Sequence, residues 1–101
     1  MTAKSDNHYV IEEFNSLIKL APFGVFHNDE FIPLNGMSIE DNGKLFYQND
    51  NNEKTSVSSY IKDKTGLQTA RWLNYLYFKD GYGKKQQFKK YVAQKHNLKF
   101  T

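Results

Sequence analysis

The residues best suited to chemistry are hydroxyls at the predicted start of a helix. Four of the five residues at 55–59 carry hydroxyls, and Lys62 and Lys64 follow within the same predicted helix. A helix N-terminus offers unpaired N–H groups and a partial positive charge, which suit a phosphate group. Ser and Thr also favour this position as purely local caps. Two interpretations therefore stay open, phosphate binding by Ser56 and Ser58 or capping alone.

Lysine dominates the C-terminal part of the chain. No acid occurs between Gly81 and Thr101, so the usual neutralisation of lysine by glutamate one helical turn away is absent there. Basic side chains on a helix that aromatic residues anchor can neutralise phosphates, and a solvated surface is the alternative. The residues that we expect to bind a polyanion here are Lys84, Lys85, Lys89 and Lys90.

Arg71 and Trp72 form a second candidate contact. Arg71 is the only arginine in the chain, and its planar guanidinium suits two-point recognition of a guanine or a phosphate better than lysine does. Trp72 either stacks on a base or packs in the core. We expect Arg71 to make the most specific contact of the interface.

The sequence offers no catalytic or metal-binding pattern. The chain has no cysteine, and His8, His27 and His96 lie far apart, at no metal-ligand spacing. Adjacent acids such as Glu12 and Glu13 point in different directions, so they do not form an acid–base pair. We therefore expect no enzyme activity, metal, cofactor or small-molecule substrate.

The two halves of the chain carry opposite charge. Residues 1–53 hold three lysines and nine acids, a net charge of −6, whereas residues 54–101 hold ten lysines and Arg71 against two acids, a net charge of +9. A basic half of this kind attracts a polyanion, and the acidic half repels one. The interface is therefore predicted within residues 54–101.

Apolar spacing predicts the elements that position these residues. A stripe from Val10 to Ile18 predicts a helix that ends before Pro22. Strands are predicted over 23–27, 30–34 and 44–48, with Asn42-Gly43 as a hairpin turn. A helix capped by Thr55 or Ser56 ends at Gly66. Residues 72–78 read as a fourth strand, and a third helix follows Gly83. No internal repeat is evident.

These elements predict an α+β fold, in which a small antiparallel β-sheet packs against two or three helices. The chain of 101 residues is long enough for one core and too short for two, so we expect a single domain over 1–101 with a flexible segment at 1–7. No stretch is apolar enough to cross a membrane or to act as a secretion signal.

The segment from Leu17 to Gln94 resembles the restriction-enzyme and adenine-methylase-associated (RAMA) domain, which occurs beside bacterial DNA methylases and in some eukaryotic chromatin proteins. The resemblance rests on the order of 42–47, the hydroxyl-rich 55–59, Gly66, and Trp72 before an aromatic strand. It implies a DNA-binding or modified-DNA-reading accessory domain. The residues that it places near the contact surface are Ser56, Ser58, Arg71 and Trp72.

Two hypotheses of function follow. The first is a DNA-binding accessory or reader domain that docks on the phosphate backbone, with duplex DNA as partner and no membrane partner. The second is a protein-interaction module, a small subunit of a larger assembly or a phage-type inhibitor, that uses its bipolar charge. Both imply an intracellular location, nuclear in a eukaryote and cytoplasmic in a bacterium or phage.

Overall fold

The computed structural model describes residues 6–99. In chain order the elements are α1 (Asp6–Leu17), β1 (Phe23–His27), β2 (Glu30–Pro33), β3 (Ser38–Ile39), β4 (Leu45–Gln48), β5 (Lys54–Ser56), α2 (Val57–Thr65), α3 (Trp72–Tyr75), β6 (Leu76–Lys79), β7 (Lys85–Gln87) and α4 (Phe88–His96). Of the segment 1–7 that was predicted to be flexible, residues 1–5 lie outside the described residues. Asp6 and Asn7 begin α1.

The strands form two small antiparallel sheets. The larger has the order β2-β1-β6-β7 and the smaller the order β3-β4-β5. Pro33 ends β2, which is an edge strand, as expected of a residue that cannot donate a backbone hydrogen bond. The predicted α+β class is confirmed. In the described part of the chain it is built from four helices and these two sheets.

Aromatic rings form the centre of the core. Phe14 of α1, Phe23 of β1 and Phe88 of α4 are buried, and their ring centroids lie 5.1 to 6.2 Å apart. Leu76 and Phe78 add the inward face of β6. Burying large rings in this way stabilises a short chain that has no cysteine and so no disulfide.

Two hairpin–helix units repeat within the chain. The first unit, residues 45–67, contains β4, β5 and α2, and the second unit, residues 76–98, contains β6, β7 and α4. A constant offset of 31 residues relates them, and the expectation that the chain has no internal repeat is wrong. Equivalent positions include Leu45 and Leu76, Val57 and Phe88, and the left-handed helix caps Gly66 and Asn97.

The turns of the two hairpins are equivalent in detail. Asn49 opens the first turn and Asp80 the second. Each side-chain Oδ1 accepts from the backbone N–H groups two and four residues later, at 2.9 Å for both in the first turn and at 2.8 and 3.0 Å in the second. Asn52 and Gly83 take the left-handed conformation at the same position. Both turns are therefore fixed by a side chain as well as by backbone hydrogen bonds.

The packing between hairpin and helix also repeats. Tyr47 meets Tyr60 edge to face with ring centroids 5.4 Å apart, and the equivalent Phe78 and Tyr91 lie 5.3 Å apart in the same arrangement. The two units thus share one scaffold. Where their surface residues differ, the two units can bind different ligands.

Two sequence predictions need correction. Residues 72–78 are not one strand, because Trp72–Tyr75 form a helical turn before β6 begins at Leu76. The helix expected directly after Gly83 begins later, at Phe88, because 85–87 pair with β6 as strand β7. Both errors concern short elements whose conformation depends on distant partners.

No helix of the described residues is both long and apolar enough to cross a membrane.

Candidate nucleic-acid interface

The hydroxyls at the start of α2 act first as local caps. Ser56 is the N-cap residue, with extended backbone dihedrals, and its Oγ accepts from the Ser59 N–H at 3.4 Å. The first turn of α2 contains no acid. Capping by Ser56 is therefore confirmed, while phosphate binding by Ser56 and Ser58 stays a prediction. A hydroxyl oxygen that caps a helix still has a lone pair and a proton for a ligand.

Three of the predicted contact residues line one open cleft. Ser56, Ser58 and Trp72 border a space of about 360 Å³ between the start of α2 and the turn before β4. Lys44 also lines this space and is exposed. Lys44 belongs to the acidic half, so charge counting along the chain did not point to it.

Trp72 has a clear structural role. Its indole Nε1–H donates to the Gly43 carbonyl oxygen at 3.2 Å, and its ring lies nearly parallel to Phe88, with centroids 6.5 Å apart. The ring is half-buried and borders the cleft. Arg71, the preceding residue, is exposed and is the N-cap residue of α3. The structure thus places Arg71 on the surface and Trp72 between the two units.

The lysines of α2 lie away from its hydroxyl-rich start. Lys62 and Lys64 are in the last turn, about 10 Å along the axis from Ser56 at 1.5 Å per residue. Cations at a helix C-terminus are favoured by the helix dipole, and the Lys64 ammonium lies 5.8 Å from the centre of the Tyr60 ring. These two lysines do not form one cluster with the serines.

Four of the predicted lysines belong to the second unit. Lys84 and Lys85 are exposed on the β6–β7 hairpin, and Lys90 is exposed on the first turn of α4. Lys89 is half-buried, and its Nζ donates to Asn74 Oδ1 at 3.0 Å. Asn74 of α3 was missed by sequence reasoning because no local pattern shows that α3 contacts the next helix.

A further lysine lies next to Lys85 on the β6–β7 hairpin. Lys79 of β6 lies directly opposite Lys85 of β7 in the antiparallel register. Like charges in this position destabilise a hairpin, and no ion pair among the described residues neutralises either lysine. Lys79 was not predicted, because only the strand register brings it to this position.

The equivalent hairpin of the first unit has a different charge. There Gln48 lies opposite Lys54, and the Lys54 ammonium pairs with Glu40 Oε2 at 3.3 Å. The same scaffold therefore carries a neutralised cation in the first unit and two cations without an acid partner in the second. Repulsion between Lys79 and Lys85 decreases when an anion binds between them.

Asp80 is the acid nearest to these lysines in the sequence, and the turn engages it. The Gln86 amide donates to its Oδ2 at 2.9 Å, and the N–H groups of Lys84 and Tyr82 donate to its Oδ1. These hydrogen bonds, that of Gln86 foremost, lower the pKa of Asp80 below its ordinary value of 3.8. The carboxylate stays ionised and holds the turn that displays the lysines.

The acidic half is not a single acidic surface. Glu13 is buried, with Oε1 2.9 Å from His96 Nε2 and 3.1 Å from Lys95 Nζ. Burial alone would raise the pKa of Glu13, but hydrogen bonds from His96 and Lys95 and the lysine charge outweigh it, so that the pKa lies below 4.5. Glu13 therefore attaches α1 to α4 and is not available to a partner.

Within residues 6–99, no group of three or more His, Asp or Glu side chains is placed to hold a metal ion. No family model matches the chain, and no curated protein or solved structure gives a significant match. The α+β fold is shown by the structure itself. The resemblance to the RAMA family stays a prediction.

Proposed function

We propose that this chain is a DNA-binding accessory domain that docks on the phosphate backbone through its basic half. The residues that neutralise or orient phosphates are Lys62, Lys64, Lys84, Lys85, Lys89, Lys90, Ser56 and Ser58, with Arg71 as the one base-edge contact and Trp72 as the support of the cleft. Lys79, which lies opposite Lys85 in the strand register, joins this set. No catalytic step is needed, because phosphate contacts supply affinity and position.

The like-charge pair Lys79 and Lys85 is the observation that supports this proposal best. The first unit shows that the hairpin forms equally well with a glutamine in place of Lys79 and with a glutamate beside the remaining lysine. Two unneutralised lysines are therefore not a requirement of the fold. They suit a surface whose function is to attract an anion.

The RAMA resemblance extends the proposal to modified DNA. In that reading the domain accompanies a larger assembly that reads or modifies adenine-methylated DNA, inside the cell. The cleft bordered by Ser58, Lys44 and Trp72 is open to solvent and is the place where such reading would occur.

Fluorescence-anisotropy titration of labelled duplex DNA at two salt concentrations tests the proposal. With about five phosphates neutralised, the slope of log affinity against log salt is about −4.5, so a fourfold rise in salt weakens binding by a few hundredfold. Duplexes with and without N6-methyladenine test modified-base reading in the same titration. A slope near zero, or no binding at low salt, contradicts DNA binding.

A protein-interaction module is the second candidate, and one observation favours it. A broad surface depression of about 660 Å³ runs along α1 and is lined by Glu12, Lys19 and Asp41 among others. Replacing Glu12, Asp29 and Glu30 leaves DNA binding intact if the basic half is the interface. The same replacement weakens the capture of a basic protein partner if the acidic half is the interface.

A further inference from the structure

The outward face of the four-stranded sheet carries aromatic rings and lysines. Phe23 and Val25 of β1 point into the core, so the alternate residues Gly24 and Phe26 face outward. The register places Phe31 beside Phe26 and Tyr77 beside Gly24. Lys79 and Lys85 continue the same face on β6 and β7.

Two of the rings on this face are in contact, and the third lies against the same strand, β1. The centroids of Phe26 and Tyr77 lie 5.0 Å apart. A Cβ atom at position 24 would lie 2.9 Å from Cζ of Phe31, so the glycine allows that ring to lie close to the strand. All three rings are half-buried, and each keeps part of its surface exposed.

Each lysine of this face lies over a ring. The Lys85 ammonium is 4.3 Å from the centroid of Phe26, and the Lys79 ammonium is 5.0 Å from that of Phe31. Exposed cation–π contacts are weak, and lysine has a long flexible stem. Either ammonium can therefore leave its ring for a phosphate while the ring accepts another flat group.

Helices α1 and α4 pack on the opposite side of the sheet, while α3 meets the end of this face, where the Gln87 side-chain amide donates to the Asn74 carbonyl oxygen at 3.1 Å. Phe14 and Phe88 meet Phe23 on the inward side of the sheet, and Tyr91 meets Phe78 there. The outward positions of the four strands are residues 24, 26, 31, 33, 77, 79, 85 and 87, and none of them is an acid. The face is thus aromatic and purely cationic.

The first unit provides an internal comparison. Phe46, the equivalent of Tyr77, also has a lysine over its ring, with the Lys54 ammonium 4.5 Å from the centroid. That lysine is paired with Glu40. The equivalent lysine of the second unit, Lys85, lies over Phe26 of β1 rather than over Tyr77, and no acid among the described residues pairs with it.

We propose that this outward face binds single-stranded nucleic acid, with bases stacking on Phe26, Phe31 and Tyr77 and with Lys79 and Lys85 on the phosphates. The inference rests on the proposed function, because it uses the same basic half, and it specifies the strandedness of the ligand. Aromatic rings beside a row of cations bind single strands through stacking that tolerates any base sequence.

Strandedness follows from the geometry of the rings. The bases of a duplex stack on one another and present only their edges in the grooves, so a duplex can meet the lysines of this face but not its rings. An unpaired strand can turn successive bases onto the sheet. Tyr82, at the tip of the β6–β7 hairpin, is 93% exposed and offers a further ring on which a base can stack.

The test compares labelled oligothymidylate and oligouridylate of about 12 nucleotides, within the usual range of such sites, with a duplex of the same length. Wild-type protein binds the single strands at least about tenfold more tightly than the duplex. Phe26→Leu and Tyr77→Leu each weaken single-strand binding about tenfold and leave duplex binding within about twofold. The relative affinity of the two single strands shows whether DNA or RNA is the better ligand.

Two further variants separate binding from folding. Phe46→Leu is the matched control in the first unit and leaves single-strand affinity unchanged. Tyr82→Ala removes an exposed ring, so it weakens single-strand binding without lowering the melting temperature. Equal affinity of wild-type protein for duplex and single strand, or wild-type affinity in both leucine variants, overturns the inference. Salt-dependent duplex binding that persists in that case leaves the proposed function standing, whereas loss of all binding removes both.

Discussion

The indole N–H of Trp72 donates to the carbonyl oxygen of Gly43, 29 residues earlier, at 3.2 Å. This hydrogen bond joins the turn before β4 to the start of α3, and the Trp72 ring lies nearly parallel to Phe88 of the second unit. One side chain thereby connects the turn that precedes the first hairpin–helix unit to the second unit. It also forms part of the wall of the cleft at the start of α2.

Replacing Trp72 with phenylalanine tests its structural role. The change leaves the Gly43 carbonyl without its donor and removes part of the packing on Phe88, so we expect a loss of about 1–3 kcal/mol in the free energy of unfolding. Urea unfolding followed by circular dichroism measures it. Tyr82→Phe, at an exposed ring, is the control and stays within about 0.5 kcal/mol. An unchanged stability in Trp72→Phe would contradict the joining role.

Glu13→Gln tests the link between α1 and α4. The variant removes the negative charge with which Lys95 and His96 form hydrogen bonds. Hydrogen bonds to a charged group contribute about 1.5–3 kcal/mol to stability. We expect unfolding at pH 7 to become easier by about 1–3 kcal/mol. The exposed pair of Glu12 with His8, one helical turn apart at 2.9 Å, is the control, and Glu12→Gln costs less than about 0.5 kcal/mol.

The lowered pKa of Glu13 predicts that the stabilisation supplied by its carboxylate depends on pH. Because the pKa of Glu13 is lower in the folded chain than its ordinary 4.5, the unfolded state binds the proton more readily. The stabilisation is therefore complete above pH 4.5 and is lost as the pH falls through the folded pKa. The stability difference between wild type and Glu13→Gln narrows below pH 4.5. A difference that is constant from pH 7 to pH 3 would exclude ionised Glu13 as its source.

Asp80 provides a test of the turn that displays the lysines. Asn49 makes the same two backbone contacts in the first unit, so Asp80→Asn keeps the turn and loses only the acceptor for Gln86. Asp80→Ala loses all three contacts. We expect melting temperatures in the order wild type, Asp80→Asn, Asp80→Ala. Asp80→Asn also removes a negative charge from the basic hairpin and so binds DNA more tightly than wild type. Equal melting temperatures for the two variants would contradict the equivalence of the turns.

The sequence predicts correctly those structural features that neighbouring residues in the chain determine, such as helix caps. The helix caps Ser56 and Gly66 are where the residue types place them, because capping involves neighbours in the chain. The helical turn at Trp72 depends on a partner 29 residues away. Strand β7 consists of polar residues without apolar alternation, so only its pairing with β6 reveals it.

The internal repeat is hidden for a related reason. The two units are identical at few positions, and what they share is burial, turn geometry and capping, which different residues supply. Asn49 and Asp80 make the same turn, and Gly66 and Asn97 take the same left-handed conformation. The identical pairs at the 31-residue offset are Leu45 and Leu76, Lys54 and Lys85, Tyr60 and Tyr91, Lys64 and Lys95, and Leu67 and Leu98.

Charge counting predicts which half is basic but not how its lysines are arranged. The placement of Lys79 opposite Lys85, and the aromatic face beside them, depend on strand register. Lys95 looks equivalent to the other lysines of α4 in the sequence, yet it pairs with Glu13. The candidate interface is therefore predicted as a region from sequence and defined residue by residue only by the fold.

The most direct test of DNA binding by the second unit compares two double variants with the same change in net charge. Lys84→Gln/Lys85→Gln neutralises the basic hairpin, and Lys19→Gln/Lys54→Gln is the control, because Lys54 is the first-unit equivalent of Lys85. In anisotropy titrations with duplex DNA, the hairpin variant weakens binding and makes the log–log salt slope shallower by about 1.8, the value for two lost phosphate contacts, while the control keeps the wild-type slope. Equal slopes in both variants and wild type would contradict an interface on the second hairpin.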